Sequence, residues 1–187
     1  MVAQALRVRI ALALTLVVSV LPTPAATLQK LNLDDLILKS TEIVRGRVTS
    51  STVVRRGAVL YTAATVSVAQ RWKGAEGASV VVYIPGGALD GIRQTFPGAP
   101  QLNSGSEYML FLWTGNSGIT QIVGFSQGLL DLKTDDQGKV VVARIAGEEN
   151  VLLDSKTKAA VADKGMEPTP LSEVTMRIRK LLGEAQQ

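Results

Sequence analysis

The stretch from Tyr61 to Gly87, YTAATVSVAQRWKGAEGASVVVYIPGG, commits this chain to antiparallel β-structure. From Leu60 to Arg71 the residues alternate in character. Leu60, Thr62, Ala64, Val66 and Val68 fall on one side, and Tyr61, Ala63, Thr65, Ser67 and Ala69 on the other. Successive strand side chains point to opposite faces, so the valine-bearing side is expected to turn inward. The turn is expected at Trp72-Lys73-Gly74-Ala75-Glu76-Gly77. Ser79 to Ile84, SVVVYI, then runs without a polar interruption after its first residue, the pattern of a strand covered on both faces. Pro85-Gly86-Gly87 stops it, because proline brings no N–H to a ladder and glycine accepts positive φ.

The rest of the chain supplies partners for this hairpin. Glu42 to Val54 reads as a strand, with Ile43, Arg45, Arg47 and Thr49 on one face and Val44, Gly46 and Val48 on the other. Gly46 inside it predicts a bulge, a bend or a close neighbour. Arg55-Arg56-Gly57 is the expected turn into the next strand. Glu107 to Thr114, EYMLFLWT, is expected at the centre of the sheet. Gly115-Asn116-Ser117-Gly118 turns the chain back along Ile119 to Val123. Leu129 to Lys133 and Lys139 to Arg144 are two further strands around a turn at Thr134 to Gly138.

Two helices flank the strands. Asn32 is placed to cap a short one, with Leu33, Leu36 and Ile37 on one side and Asp34 and Asp35 in the first turn, where the helix dipole favours acids. Near the other end, Thr169 is a capping residue and Pro170 a first helical residue. Leu171, Val174, Ile178 and Leu181 then line one side, and Gly183 is the expected stop. The expected fold is mainly β: a small antiparallel OB-like (Greek-key) barrel over residues 27–145, with an open sandwich as the alternative. Residues 146–169 read as a polar linker, and residues 170–187 as a C-terminal helix docked on the barrel.

The first 26 residues have the pattern of an export signal. Arg7 and Arg9 precede an apolar run from Ile10 to Leu21, and small residues follow, with cleavage expected near Ala25 and Ala26. The run is short for a membrane span. Its removal leaves 18 basic against 16 acidic residues, so the basic balance of the whole chain is no argument for nucleic acid. Cysteine is absent, so no disulfide holds the fold. Histidine is absent too, which removes the commonest general base and zinc ligand. The localisation implied is secreted or periplasmic, with no stable membrane span after cleavage.

Several short patterns invite chemistry and lack its other parts. Gly124-Phe125-Ser126-Gln127-Gly128 matches the Gly-x-Ser-x-Gly nucleophile elbow, but a strand rather than a helix is expected after it and no histidine exists to act as base. A glycine-framed corner accounts for it better. Ser155 and Lys158 form Ser-x-x-Lys in a polar segment, with nothing to desolvate the lysine. Asp131, Asp135 and Asp136 miss the EF-hand spacing. Tyr61, Trp72, Tyr83, Phe96, Tyr108, Phe111, Trp113 and Phe125 are available for stacking, without the Lys/Arg-rich face that single-strand binding needs. No cofactor and no metal is expected.

Ala88 to Ser106 is the longest irregular stretch. Leu89, Ile92 and Phe96 give it apolar weight, which suits either a cap on one end of the barrel or a contact loop.

The segments IVRGRV (Ile43–Val48), YTAATVSVAQRWKG (Tyr61–Gly74), VVVYIPGG (Val80–Gly87) and GSEYMLFLW (Gly105–Trp113) together resemble the netrin/TIMP-like branch of OB-fold domains, in the cysteine-free form of some small exported bacterial proteins. The likeness spans roughly Asp35 to Val142. It implies an OB fold that binds macromolecules through barrel-edge loops. The TIMP inhibitors place an N-terminal cysteine on a protease zinc, and this chain has no residue for that role. The expected function is a non-enzymatic binding module acting on another exported protein, such as a protease. Gly86, Gly87, Arg93 and Phe96 are the expected contact residues. The alternatives are a structural or accessory envelope protein without a discrete ligand and, third, a hydrolase.

Overall fold

A computed structural model describes residues 27–146 and 151–184. The expected signal segment and its cleavage site at Ala25/Ala26 lie outside the described residues. The strands are β1 (Thr27–Gln29), β2 (Glu42–Arg56), β3 (Val59–Lys73), β4 (Ser79–Pro85), β5 (Gly87–Leu89), β6 (Ile92–Gln94), β7 (Glu107–Thr114), β8 (Thr120–Ile122), β9 (Leu129–Thr134), β10 (Val140–Arg144), β11 (Val151–Leu153), β12 (Ala160–Val161) and β13 (Met166–Pro170). The helices are α1 (Leu33–Lys39) and α2 (Leu171–Glu184). None of the described helices is long and apolar enough to cross a membrane.

The main sheet runs in the order β13-β10-β9-β7-β2-β3-β4, with β8 paired to β7 off that path. Its pairings are all antiparallel. β4 and β13 are its edges, and among the described residues no ladder joins them, so no closed barrel is found there. The sheet curls strongly enough to bring β8 alongside β4 without pairing. Shifts in register between Ile43 and Val44, Arg45 and Gly46, and Val48 and Ser50 add twist to the long strand β2. Gly46 answers two of its three expectations, a bulge and a close neighbour: it sits at one of these shifts, and a Cβ there would lie 2.4 Å from the Ser67 carbonyl oxygen.

β7 organises the molecule. It pairs with β2 along one side, and on the other with β9 through its first half and β8 through its second. All five residues from Tyr108 to Leu112 are buried. Met109 and Phe111 join Ile43, Leu130 and Val142 under the two helices. Tyr108, Leu110 and Leu112 face the other way, against Val44, Val48, Ala64, Val66 and Val82. Each fully buried large side chain here stabilises the fold by about 1.5–3 kcal/mol. The strand covered on both faces is therefore β7, and the expectation for Ser79 to Ile84 is corrected. β4 buries Val82 and Ile84 but leaves Val81 38% exposed, because an edge strand with nothing stacked on its outer face has only one covered side.

α1 starts with a reciprocal capping box: Asp35 N–H donates to Asn32 Oδ1 at 2.8 Å, and Asn32 N–H to Asp35 Oδ2 at 3.2 Å. Its buried Leu36 and Ile37 meet Val174 and Ile178 of α2. Leu171 and Leu181 pack on the same cluster, so the expected apolar stripe does face the sheet. Pro170, however, is the last residue of β13, and the Thr169 hydroxyl donates to the Glu167 carbonyl rather than capping the helix. α2 also runs through Gly183 to Glu184.

Other boundaries move for identifiable reasons. Trp72 and Lys73 belong to β3, where Trp72 packs against the helix-side core, so the turn begins at Gly74. The turn between β2 and β3 is Gly57-Ala58, with both arginines still in the strand. Residues 146–169, expected as linker, hold β11, β12 and most of β13. β13 extends the main sheet beside β10, while β11 pairs in parallel with β1.

Candidate binding groove

Two adjoining depressions lie where β4 ends. One, of about 380 Å³, is lined by Lys39, Tyr83, Pro85, Trp113 and Phe125 among others, and occupies the seam between β4 and β8. The other, of about 270 Å³, is lined by Gly86, Gly87, Arg93 and Phe96. They share Ile84, Pro85 and Pro100, and so form one groove. The four residues expected as contacts are thus brought together, along its shorter half.

Local chemistry explains how each wall is held. Gly86 and Gly87 have φ of 110° and 146°. A Cβ on Gly87 would meet the two Val53 methyls at 2.8 and 2.9 Å. Their role is to make the corner. Gly86 N–H donates to the Leu60 carbonyl at 2.8 Å, and the Thr62 hydroxyl to the Gly86 carbonyl at 2.9 Å.

The irregular stretch that follows is partly ordered into the β5–β6 hairpin, turned by Asp90 and Gly91 at positive φ as a two-residue hairpin requires. Gln94 staples it down, accepting from Leu60 N–H at 2.7 Å and donating to the Ala58 carbonyl at 2.9 Å. Arg93 is left exposed, and Phe96 and Ile92 are 38% and 47% exposed. Of the apolar residues expected either to cap a barrel end or to make contacts, only Leu89 is half-buried.

The longer half is built by residues that the sequence reading did not select. Trp113 leaves β7 48% exposed, its ring lying over Gly115, where a Cβ would come within 2.6 Å of it. Phe125 sits at φ 66°, directly after Gly124 at φ 63°. A left-handed backbone costs an L-residue on the order of 1 kcal/mol, and a bulky residue that tolerates this at a cavity wall marks a place worth testing for function. Gln127 fixes that turn from beneath. It is 2% exposed, its Oε1 accepts from Leu31 N–H at 2.8 Å, and its Nε2 donates to the Gln29 carbonyl at 2.9 Å. The Gly-x-Ser-x-Gly segment is accordingly a corner. A signal for this half was present in the sequence: a tryptophan at the exit of a strongly apolar strand, one residue before a glycine-rich turn.

The groove is cationic at its rim. Lys39 and Arg93 line it, and Arg56 lies over the Tyr83 ring at 5.1 Å from the centroid, its Nη2 donating to the Tyr83 hydroxyl at 3.0 Å. No lining residue of either depression is Asp or Glu. A third depression, of about 460 Å³, contrasts with it. There Glu107 is taken by Arg45 at 2.5 Å and Arg47 at 3.1 Å, so opposite charges already meet.

The remaining sequence patterns are occupied by local structure. Asp135 Oδ1 accepts from the N–H groups of Gln137 and Lys139, which closes its turn. Lys158 Nζ donates to the Ser155 carbonyl at 2.9 Å on an exposed turn. Lys73 is half-buried, and loss of solvent lowers its pKa; its Nζ donates to the Ile37 carbonyl at 3.2 Å, at the end of α1. Comparison of the chain with protein-family models, curated proteins and solved structures finds no match.

Proposed function

We propose that this protein is a non-enzymatic binding module that engages a partner protein through the groove between β4, β8 and residues 86–101. The observation that carries this reading is the exposure of Trp113 and Phe96, one in each of two adjoining depressions that no acidic residue lines. Aromatic side chains left wet on a rigid frame are the usual anchors of protein contacts. The signal-like first 26 residues make the partner another exported protein, a protease among the options, in the periplasm or outside the cell. The approach of β8 to β4 supports an OB-like barrel left open at that seam, in keeping with the resemblance to netrin/TIMP-like domains.

Photocrosslinking tests the reading. p-Benzoylphenylalanine placed at Phe96 or Trp113 should give a discrete adduct with one exported protein, and the same group at Arg179 should not. Arg93→Ala/Phe96→Ala should reduce capture while the fold persists. Equal adducts at all positions, or none, would favour an accessory envelope protein without a discrete ligand.

A further inference from the structure

β8 lies against the outer side of β4, so the seam between them has no lane for another strand. What it offers is the depression above, of about 380 Å³, within the range of sites that enclose small ligand groups. Ile84 of β4 and Ile122 and Val123 of β8 line it and are buried, which makes them its floor. Tyr83, Trp113 and Phe125 are its aromatic walls. Two kinds of donor stand unanswered there. Lys39 is exposed and makes no ion pair or hydrogen bond among the described residues. Gly124 and Phe125, at φ 63° and 66°, leave two successive N–H groups without an acceptor among the described residues, whereas Val123 N–H just before them donates to the Phe111 carbonyl at 2.9 Å.

These donors select an anion. Successive free N–H groups in a turn form a concavity that suits one, and a half-buried N–H without an acceptor gains from an arriving oxygen. Arg56 over the Tyr83 ring adds positive charge nearby, and no acid lines the depression. The aromatic walls in turn select an apolar group on the same ligand. We infer, building on the binding-module reading, that this depression receives the C-terminal residue of the partner chain. Its α-carboxylate meets Lys39 and the N–H groups of Gly124 and Phe125, and its apolar side chain lies between Trp113 and Phe125. A side-chain acid rides on a backbone that must run on in both directions, and the seam leaves no path for that. A chain end needs one way in, and the adjoining depression at Phe96, which shares Ile84, Pro85 and Pro100, supplies it.

The test titrates the isotope-labelled full chain, read by amide NMR, with a hexapeptide of glycine and serine that ends in phenylalanine. The free-acid peptide should bind saturably and move the Gly124 and Phe125 amide signals most. The same peptide with a C-terminal amide should bind about tenfold more weakly, the scale of a hydrogen-bonded charge. Lys39→Met should weaken the acid form about fivefold, the upper scale of an exposed charge contact, and not the amide form. Equal binding of acid and amide, no saturation by the acid, signals that move chiefly elsewhere, or binding of decanoate where the peptide fails would each overturn the inference. The crosslinked partner supplies the second arm: deleting its last three residues should remove the adduct at Trp113. If that adduct persists undiminished, C-terminal capture falls and the binding module stands. If Phe96 and Trp113 crosslink no partner, the module falls, and this reading with it, whatever the peptides do.

Discussion

Asp163 receives both terminal nitrogens of Arg144 in parallel hydrogen bonds of 2.6 Å, and only 3% of its side chain remains exposed. It also accepts from Gly165 N–H at 2.9 Å, which draws the chain before β13 onto the end of β10. Removing one member of a buried pair strands the other, at about 3–5 kcal/mol. Asp163→Ala should therefore lower the urea midpoint sharply. Arg144→Met/Asp163→Leu should recover most of the loss, because the cost lies in the stranded guanidinium.

Gln127 is the second such clip. Its amide joins the turn after β8 to Gln29 and Leu31 near the N-terminal strand. Gln127→Leu keeps the volume but orphans a backbone N–H and a carbonyl, each worth about 1–3 kcal/mol when buried. Hydrogen exchange at Leu31 should accelerate more than exchange in β2 or β7.

Gly87→Ala should destabilise by about 2 kcal/mol or more, from the positive φ and the overlap with Val53 together. Thermal denaturation reads the loss. By contrast, Gly57→Ala, with open space around its Cβ position, should lose only the conformational part.

Asp34 and Arg177 tie the two helices. The hydrogen bond from Arg177, aided by its charge, holds the Asp34 carboxyl below the usual range, against a smaller opposing effect of burial. A carboxyl whose folded pKa lies below its unfolded value contributes fully above the unfolded value, and the contribution is lost as pH falls through the folded one. Asp34→Asn should thus lower stability at neutral pH, and the difference between the two proteins should shrink as the pH falls below the ordinary carboxylate value toward the lowered one. With both side chains about two-fifths exposed, the effect should be modest and shrink in high salt.

Trp113→Ala and Phe96→Ala should each change unfolding stability by less than about 1 kcal/mol, since both rings are substantially exposed. A larger loss by chemical denaturation would make these rings structural supports.

Much of the fold is legible in local pattern. The capping box at Asn32, the period-two alternation of β3 and the helical stripe from Leu171 to Leu181 are short-range signals, and the structure repeats them. The apolar runs of β4 and β7 look alike in sequence, yet one is an edge and the other a centre. Which of them gains neighbours on both sides depends on pairing with β2, β8 and β9, all distant along the chain. The segment from Val151 to Pro170 was obscure because its strands are two to five residues long and held by partners such as Arg144. Of the groove, the Pro-Gly-Gly corner and the apolar loop were visible as irregularities. Trp113 carried a local signal in its place at the exit of an apolar strand, but its meeting with β4 and Phe125 carried none, since only the curl of the sheet brings β8 to β4.

The parallel pairing of β1 with β11 sets an order of events. Thr27 lies opposite Val151, so the first described strand finds its partner only after more than a hundred intervening residues have been made. Closing so long a loop carries an entropic cost that is repaid only when the far contact forms. A chain emerging from its N-terminal end therefore builds the β2–β3 hairpin early and holds β1 in waiting. Any product that stops short of β11 leaves β1 without the strand it pairs with, so truncation near the end of the chain is felt at its beginning.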